Sequence, residues 1–188
     1  MKQVLLLTLL VIVGLLLLSL GARLFKKQRA VTIYYASWAS LYMLSVFYFT
    51  LFCRSYREIV YIQLVPLHTY KIALSCWLGL KTYSKTVCYS VLRSSRNIFQ
   101  VTKNSPIEDS FLNITLFLPF GFLAGYLFKK APLWKILLWA LLISTIVEIL
   151  QGVFHLGLCD VDDVLNNTLG TFLGWLLYKI SNHLFSKI

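Results

Sequence analysis

Charged side chains are absent from residues 4–20, 30–53 and 110–128, and residues 136–159 carry a single acid, Glu148. A helix rises about 1.5 Å per residue, so roughly 20 apolar residues cross the ~30 Å of bilayer hydrocarbon. Each of the four runs is close to that length. Backbone polar groups in lipid must be satisfied within their own segment, which makes helices the expected form. The composition agrees: 59% hydrophobic against 13% charged residues, with a mean hydropathy of +0.74, excludes an ordinary soluble domain. The chain is therefore expected to be an all-α, polytopic transmembrane helix bundle of about five spans.

Residues 1–53 are expected to hold two amino-terminal spans. The first reads as a retained span and not as a cleaved signal, because the basic cluster Arg23, Lys26, Lys27 and Arg29 follows it and no A-x-A site precedes Arg23. Residues 54–109 read as an extramembrane or interfacial loop. Charges recur there, and its longest apolar piece, residues 72–80, is too short to cross, so short amphipathic helices along the interface are expected. Residues 110–188 are expected to form a three-helix core, with Pro132 marking a turn between its first two helices. Its last helix has only fifteen uncharged residues, 164–178, about 22 Å of helix. To span, it must draw in Asp163, and with it Asp162 and Asp160.

The net charge of +11 does not point to nucleic acid, since the 18 Lys and Arg residues are scattered between apolar runs and form no stripe with interleaved aromatics. Cationic flanks that orient spans and meet anionic headgroups account for it, so the expected partner is the bilayer. With Arg23 to Arg29, Lys129 to Lys135 and Lys179 to Lys187 in the cytoplasm, nine basic residues lie inside in short segments. The amino terminus is then outside and the carboxyl terminus cytoplasmic, with eight further basic residues on the long loop, where the rule is weaker. Cys53, Cys76, Cys88 and Cys159 show no metal or redox spacing and read first as buried apolar cysteines, with a disulfide left open because it needs outward-facing loops and an oxidising compartment that the sequence does not fix.

In this topology Asn113, Glu148, Gln151, Asp160, Asp162, Asp163, Asn166 and Asn167 all fall toward the outer side. The i, i+3 spacing puts Glu148 and Gln151 on one face, and Asp160, Asp163 and Asn167 follow i, i+3, i+7 on the next helix. An ionisable residue inside a span costs roughly 3 kcal/mol or more unless paired or hydrated, so Glu148 is a functional candidate. Its bland alternative is a hydrogen-bonded lock through Gln151 or Asn113. Asp160 reads as a helix N-cap or first-turn acid, whereas Asp162 and Asp163 stay open between the two roles. Acids this close raise one another's pKa, which suits acid or base work, and they also offer oxygen ligands to a cation. No cofactor or metal follows from the spacing. His155 reads as a polar interfacial residue. Gly121 with Gly125, and Gly170 with Gly174, each form G-x-x-x-G for close helix contact. The sequons beginning at Asn113 and Asn166 read as chance matches.

The ordered set Asn113, Phe117, Pro119 and Gly121, then Glu148 and Gln151, then the acidic run from Asp160 to Gly174, resembles the VanZ-like family of bacterial membrane proteins. The family takes its name from a protein associated with resistance to the glycopeptide teicoplanin. The resemblance covers about 109–178, with the VanZ-like domain expected to extend upstream to about 31, and Gln63 to Pro66 resembles the family's N-x-x-P-like motif before the first core span. Gln replaces Asn there, and Gly157, Leu158 and Cys159 occupy the stretch where members often carry an Arg. The resemblance implies the bacterial cytoplasmic membrane and the cell envelope.

The resulting expectation is an outward-facing polar cluster that binds or modifies a lipid-linked envelope component and influences teicoplanin sensitivity. Glu148, Asp160 and Asp163 are the catalytic candidates, and Asn113, Gln151, Asp162 and Asn167 the substrate-binding or orienting ones. The alternatives are a non-catalytic scaffold or partner subunit held by the same cluster, and a proton or cation pathway. The last is disfavoured, because no charged residue lies near the cytoplasmic half of the three core spans.

Overall fold

The computed structural model describes residues 2–52, 56, 62–78, 106–156 and 159–186. Most of the expected interfacial loop, with Lys81, Lys85, Arg93 and Arg96, lies outside the described residues, as do Cys53 and Cys88. The described chain is an all-α bundle of six helices. These are α1 (Lys2–Gly21), α2 (Gln28–Phe47), α3 (His68–Trp77), α4 (Pro106–Leu127), α5 (Leu133–Val153) and α6 (Val161–Ser186). A short 3-10 turn, Ala22–Leu24, follows α1, and a π-helical turn, Tyr48–Phe52, extends α2.

Four of these stretches, Gln3–Leu24, Gln28–Phe52, Pro106–Leu127 and Leu133–Val153, are long and apolar enough to cross a membrane. Their outer faces expose large apolar side chains such as Leu17 and Trp139, at 61% and 62%, which only lipid accommodates without cost. The protein is accordingly a multi-pass membrane protein. At 26 residues α6 is longer than any of the four, but its acidic first turn and its Asn, Thr and Ser residues keep it out of that apolar group. It is more polar than those four and packs most extensively on α4.

The α4–α6 seam follows from the two G-x-x-x-G pairs. A Cβ at Gly121 would strike the Thr171 carbonyl, one at Gly125 the Tyr178 ring, one at Gly170 the Ile114 carbonyl and one at Gly174 the Leu118 carbonyl. These contacts advance together along both sequences, so the two helices run parallel. The missing side chains let backbone meet backbone, the packing that dispersion favours where lipid is as apolar as protein. Above this seam Leu118, Phe122 and Leu123 join Leu15, Tyr35 and Tyr178 in the core, with Tyr35 stacked on Tyr126 at 4.1 Å.

Polar bonds add register. Thr8 of α1 meets Thr115 of α4 hydroxyl to hydroxyl at 2.7 Å. Pro119 lacks the N–H that would reach the Thr115 carbonyl four residues back, and one residue further on the Tyr42 hydroxyl of α2 donates to the Leu116 carbonyl (2.8 Å). At the opposite end from the acids, Arg23 lies over the Phe185 ring (5.5 Å) and Lys129 over the Tyr126 ring (6.0 Å). The basic ends of α1, α4 and α6 thus gather at one end of the bundle.

Candidate functional site

Four pieces of chain, three of them far apart in sequence, meet at the other end. Residues Ile62–Gln63 (β1) run parallel to Cys159–Asp160 (β2), pairing Ile62 with Cys159 and Gln63 with Asp160. This short bridge lays the segment before α3 alongside the start of α6. The end of α5 supplies Glu148 and Gln151, and the π-helical end of α2 supplies Thr50.

The three acids are linked through backbone N–H groups. Glu148, 5% exposed, accepts from the Asp160 N–H through Oε2 (3.1 Å). Asp160 Oδ1 accepts from the Asp162 N–H (2.9 Å), which is an N-cap bond at the start of α6. Asp162, 2% exposed, takes the Leu67 N–H on Oδ1 and the Thr69 N–H on Oδ2 (3.2 Å). The first N–H groups of α3 have no partner inside their own helix. Leu67, held in the left-handed region at φ 59°, caps α3 without a side-chain bond, so the neighbouring helix provides the acceptor.

Amides and hydroxyls fill the layer beneath. The Tyr70 hydroxyl donates to Asn166 Oδ1 (2.6 Å), Asn167 Nδ2 donates to Ser144 Oγ (2.7 Å), and Gln151 Nε2 donates to the Thr50 carbonyl (3.2 Å). Four amide atoms remain buried without a hydrogen-bond partner among the described residues: Gln63 Nε2, Gln151 Oε1, Asn166 Nδ2 and Asn167 Oδ1. Two are donors and two acceptors.

The electrostatics follow from burial. Desolvation raises the Asp160 carboxyl above its ordinary range, opposed by the Asp162 N–H, reinforced by the Asp162 charge and eased by nearby His68. Burial likewise raises the Cys159 thiol, with the charges of Glu148 and Asp160 adding to it. The Tyr70 hydroxyl is also raised, first by burial. Among the described residues no group of three or more His, Cys, Asp or Glu side chains is placed to hold a metal ion.

The fold thus brings together Glu148, Gln151, Asp160, Asp162 and Asn167, each engaged within this cluster. Asp163 is half-buried and lies close enough to act electrostatically on Tyr70. Asn113 is half-buried on α4 and has no hydrogen-bond partner among the described residues. The helical i, i+3, i+7 grouping of Asp160 with Asp163 and Asn167 does not hold, because Asp160 belongs to β2 and α6 begins after it. The side chain turned inward is Asp162. His155, with φ at 57°, stacks on the Tyr56 ring (5.4 Å). Cys76 is disulfide-bonded, which corrects its reading as a buried apolar thiol, whereas Cys159 is free.

Sequence reasoning did not find Thr50, Leu67, Thr69, Tyr70 or Ser144. Gln63 was visible only through the Gln63 to Pro66 motif, and that motif leads directly into the α3 cap.

The architecture defines a multi-pass helical membrane protein with a buried, carboxylate-linked polar cluster at one end. The VanZ/LLP1 family pattern matches residues 31–182, and the chain belongs to that family. Protein VanZ of Enterococcus faecium is 32% identical over 100 residues, 53% of this chain and 62% of that protein, so the match spans less than two thirds of the relative's length. No solved structure matches the chain.

Proposed function

We propose that this protein sits in the bacterial cytoplasmic membrane with its polar cluster facing outward, binds the polar headgroup of a lipid-linked envelope component there, and lowers sensitivity to teicoplanin. The observation that carries the reading is the set of four buried amide atoms without partners, two donors and two acceptors, around a carboxylate chain. A buried polar group left unpaired costs about 1–3 kcal/mol, a cost that a polar ligand relieves. Binding is favoured over acid or base catalysis, because Glu148, Asp160 and Asp162 are already engaged by backbone N–H groups. The outward orientation draws support from the basic residues gathered at the opposite end and from the disulfide at Cys76, which suits an oxidising compartment.

The test is expression in a teicoplanin-susceptible bacterium, with inhibitory concentration and lipid-linked precursors measured beside protein abundance. Glu148→Gln keeps an acceptor oxygen for the Asp160 N–H and removes the charge. It should abolish the effect at unchanged abundance, and full retention of the effect would end this role for Glu148.

A second reading has its own support. Asp162 joins α6 to α3 by two backbone bonds, the form of a structural clamp. In a scaffold or partner subunit built on that clamp, Glu148→Gln is tolerated and only clamp-breaking variants lose function.

A further inference from the structure

A cavity of about 500 Å³ lies in the half of the bundle that carries its basic end, among the middle of α2, the second half of α4 and the first half of α5. Ala39 and Met43 come from α2, Phe120 and Leu123 from α4, and Ile136 and Trp139 from α5. The α4 side chains here lie on a different face from Gly121 and Gly125, whose face is occupied by α6. The volume is that of a typical small-ligand site, which is mostly apolar with a few placed polar groups. Along α5 the lining runs from Lys135 to Ile143, about 12 Å of helix, within the ~15 Å hydrocarbon depth of one leaflet.

One cation belongs to the lining. Lys135 stands at the end of the groove nearest the α4–α5 turn, with Lys129 and Lys130 on the same turn. No acid occurs between Asp109 and Glu148, and among the described residues none of these three lysines is paired with a carboxylate. Lys135 instead lies over the Trp134 ring at 5.5 Å.

We propose that this groove binds one anionic phospholipid, an acyl chain lying along Phe120, Leu123 and Ile136 and the phosphate resting on Lys135. A lining short enough to lie within one leaflet and a cation at its end fit that ligand together. A second copy of this chain fits poorly, because its own lysine-rich turn brings like charge to the same place. The inference does not rest on the outward polar cluster and needs only that the α4–α5 turn meet a membrane surface.

Native mass spectrometry of the detergent-solubilised full chain, supplemented with dioleoyl phosphatidylglycerol or dioleoyl phosphatidylcholine, tests it. One phosphatidylglycerol should be retained per chain, about fivefold over phosphatidylcholine, the preference expected of one lysine near a phosphate. Lys135→Ala alters an exposed side chain and should bring the two lipids to parity. Ala39→Trp should displace both lipids, and if that variant does not fold, Ser40→Trp on the exposed rim serves instead. Equal retention by the unaltered protein overturns the proposal, as does a preference that survives Lys135→Ala. A dimer whose copies cross-link at Trp139 also overturns it, and assigns the groove to a second chain.

Discussion

The α4–α6 seam and the acid-bearing end both hold α6 in the bundle, by opposite means. Along the seam, side chains are removed so that backbones touch: Gly121 and Gly174 each face a carbonyl of the other helix. At the acid end, side chains are extended so that backbones separated by 93 or 95 residues are joined through the carboxylate of Asp162. The seam tolerates no added atom, whereas the acid end tolerates no lost one. In lipid, where burying apolar surface favours no helix pair over another, these two devices do the work that a hydrophobic core does in water.

The seam should break most severely. Gly174→Leu drives a side chain into the Leu118 carbonyl and the Phe122 amide, backbone atoms that cannot rotate away. The loss is expected to exceed about 4 kcal/mol, the range reserved for gross overpacking. Thermal unfolding in detergent, followed by circular dichroism, should find no cooperative transition for this variant. Gly14→Leu, where nothing lies within 4 Å of the added carbon, should leave the transition intact and sharpen the contrast.

Asp162→Ala comes second. It orphans the Leu67 and Thr69 N–H groups and should cost roughly 2–4 kcal/mol. The damage should be local: α3 becomes sensitive to protease while the α4–α6 pair remains folded. Asp162→Asn keeps one acceptor oxygen and should fall between the two. Equal protection of α3 in all three proteins would show that the β1–β2 bridge, and not the carboxylate, holds that helix.

These two regions also differ in how far the sequence disclosed them. The seam was legible, because small residues four apart in an apolar run have one economical use, and all four glycines have it. The four most apolar helices were legible from charge-free runs, since lipid enforces a length and a composition that water does not. The acid end was half legible. Glu148, Gln151 and the acidic run stand out against an apolar background, and of the two helix-start roles open to Asp160, cap or first-turn acid, the structure has the cap. What had no signature was the α3 contact. A carboxylate that accepts backbone N–H groups imposes no residue type on the donors, so Leu67 and Thr69 carry no mark of it. The choice between Asp162 and Asp163 turned on phase. Counting Asp160 as helical aligned it with Asp163, but α6 begins one residue after Asp160, and the residue facing α3 is Asp162.

The smallest effect expected is a pH dependence confined to the acid end. Burial raises the Asp160 carboxyl above 3.8, so the folded protein holds that proton more tightly than the unfolded chain does. A group of this kind contributes stability that is fully present below its unfolded pKa and is lost as pH rises through its folded one. Thermal stability should therefore decline as pH is raised from about 3.8 upward, over the window set by that raised carboxyl. Asp160→Asn retains an N-cap oxygen for the Asp162 N–H, and Asn and Asp cap about equally well. The variant should match the unaltered protein at low pH, lose this part of the decline and become the more stable of the two near neutrality. A decline of unchanged size in Asp160→Asn would move the titration to another acid of the cluster, with Glu148, which receives the Asp160 N–H, the first to replace.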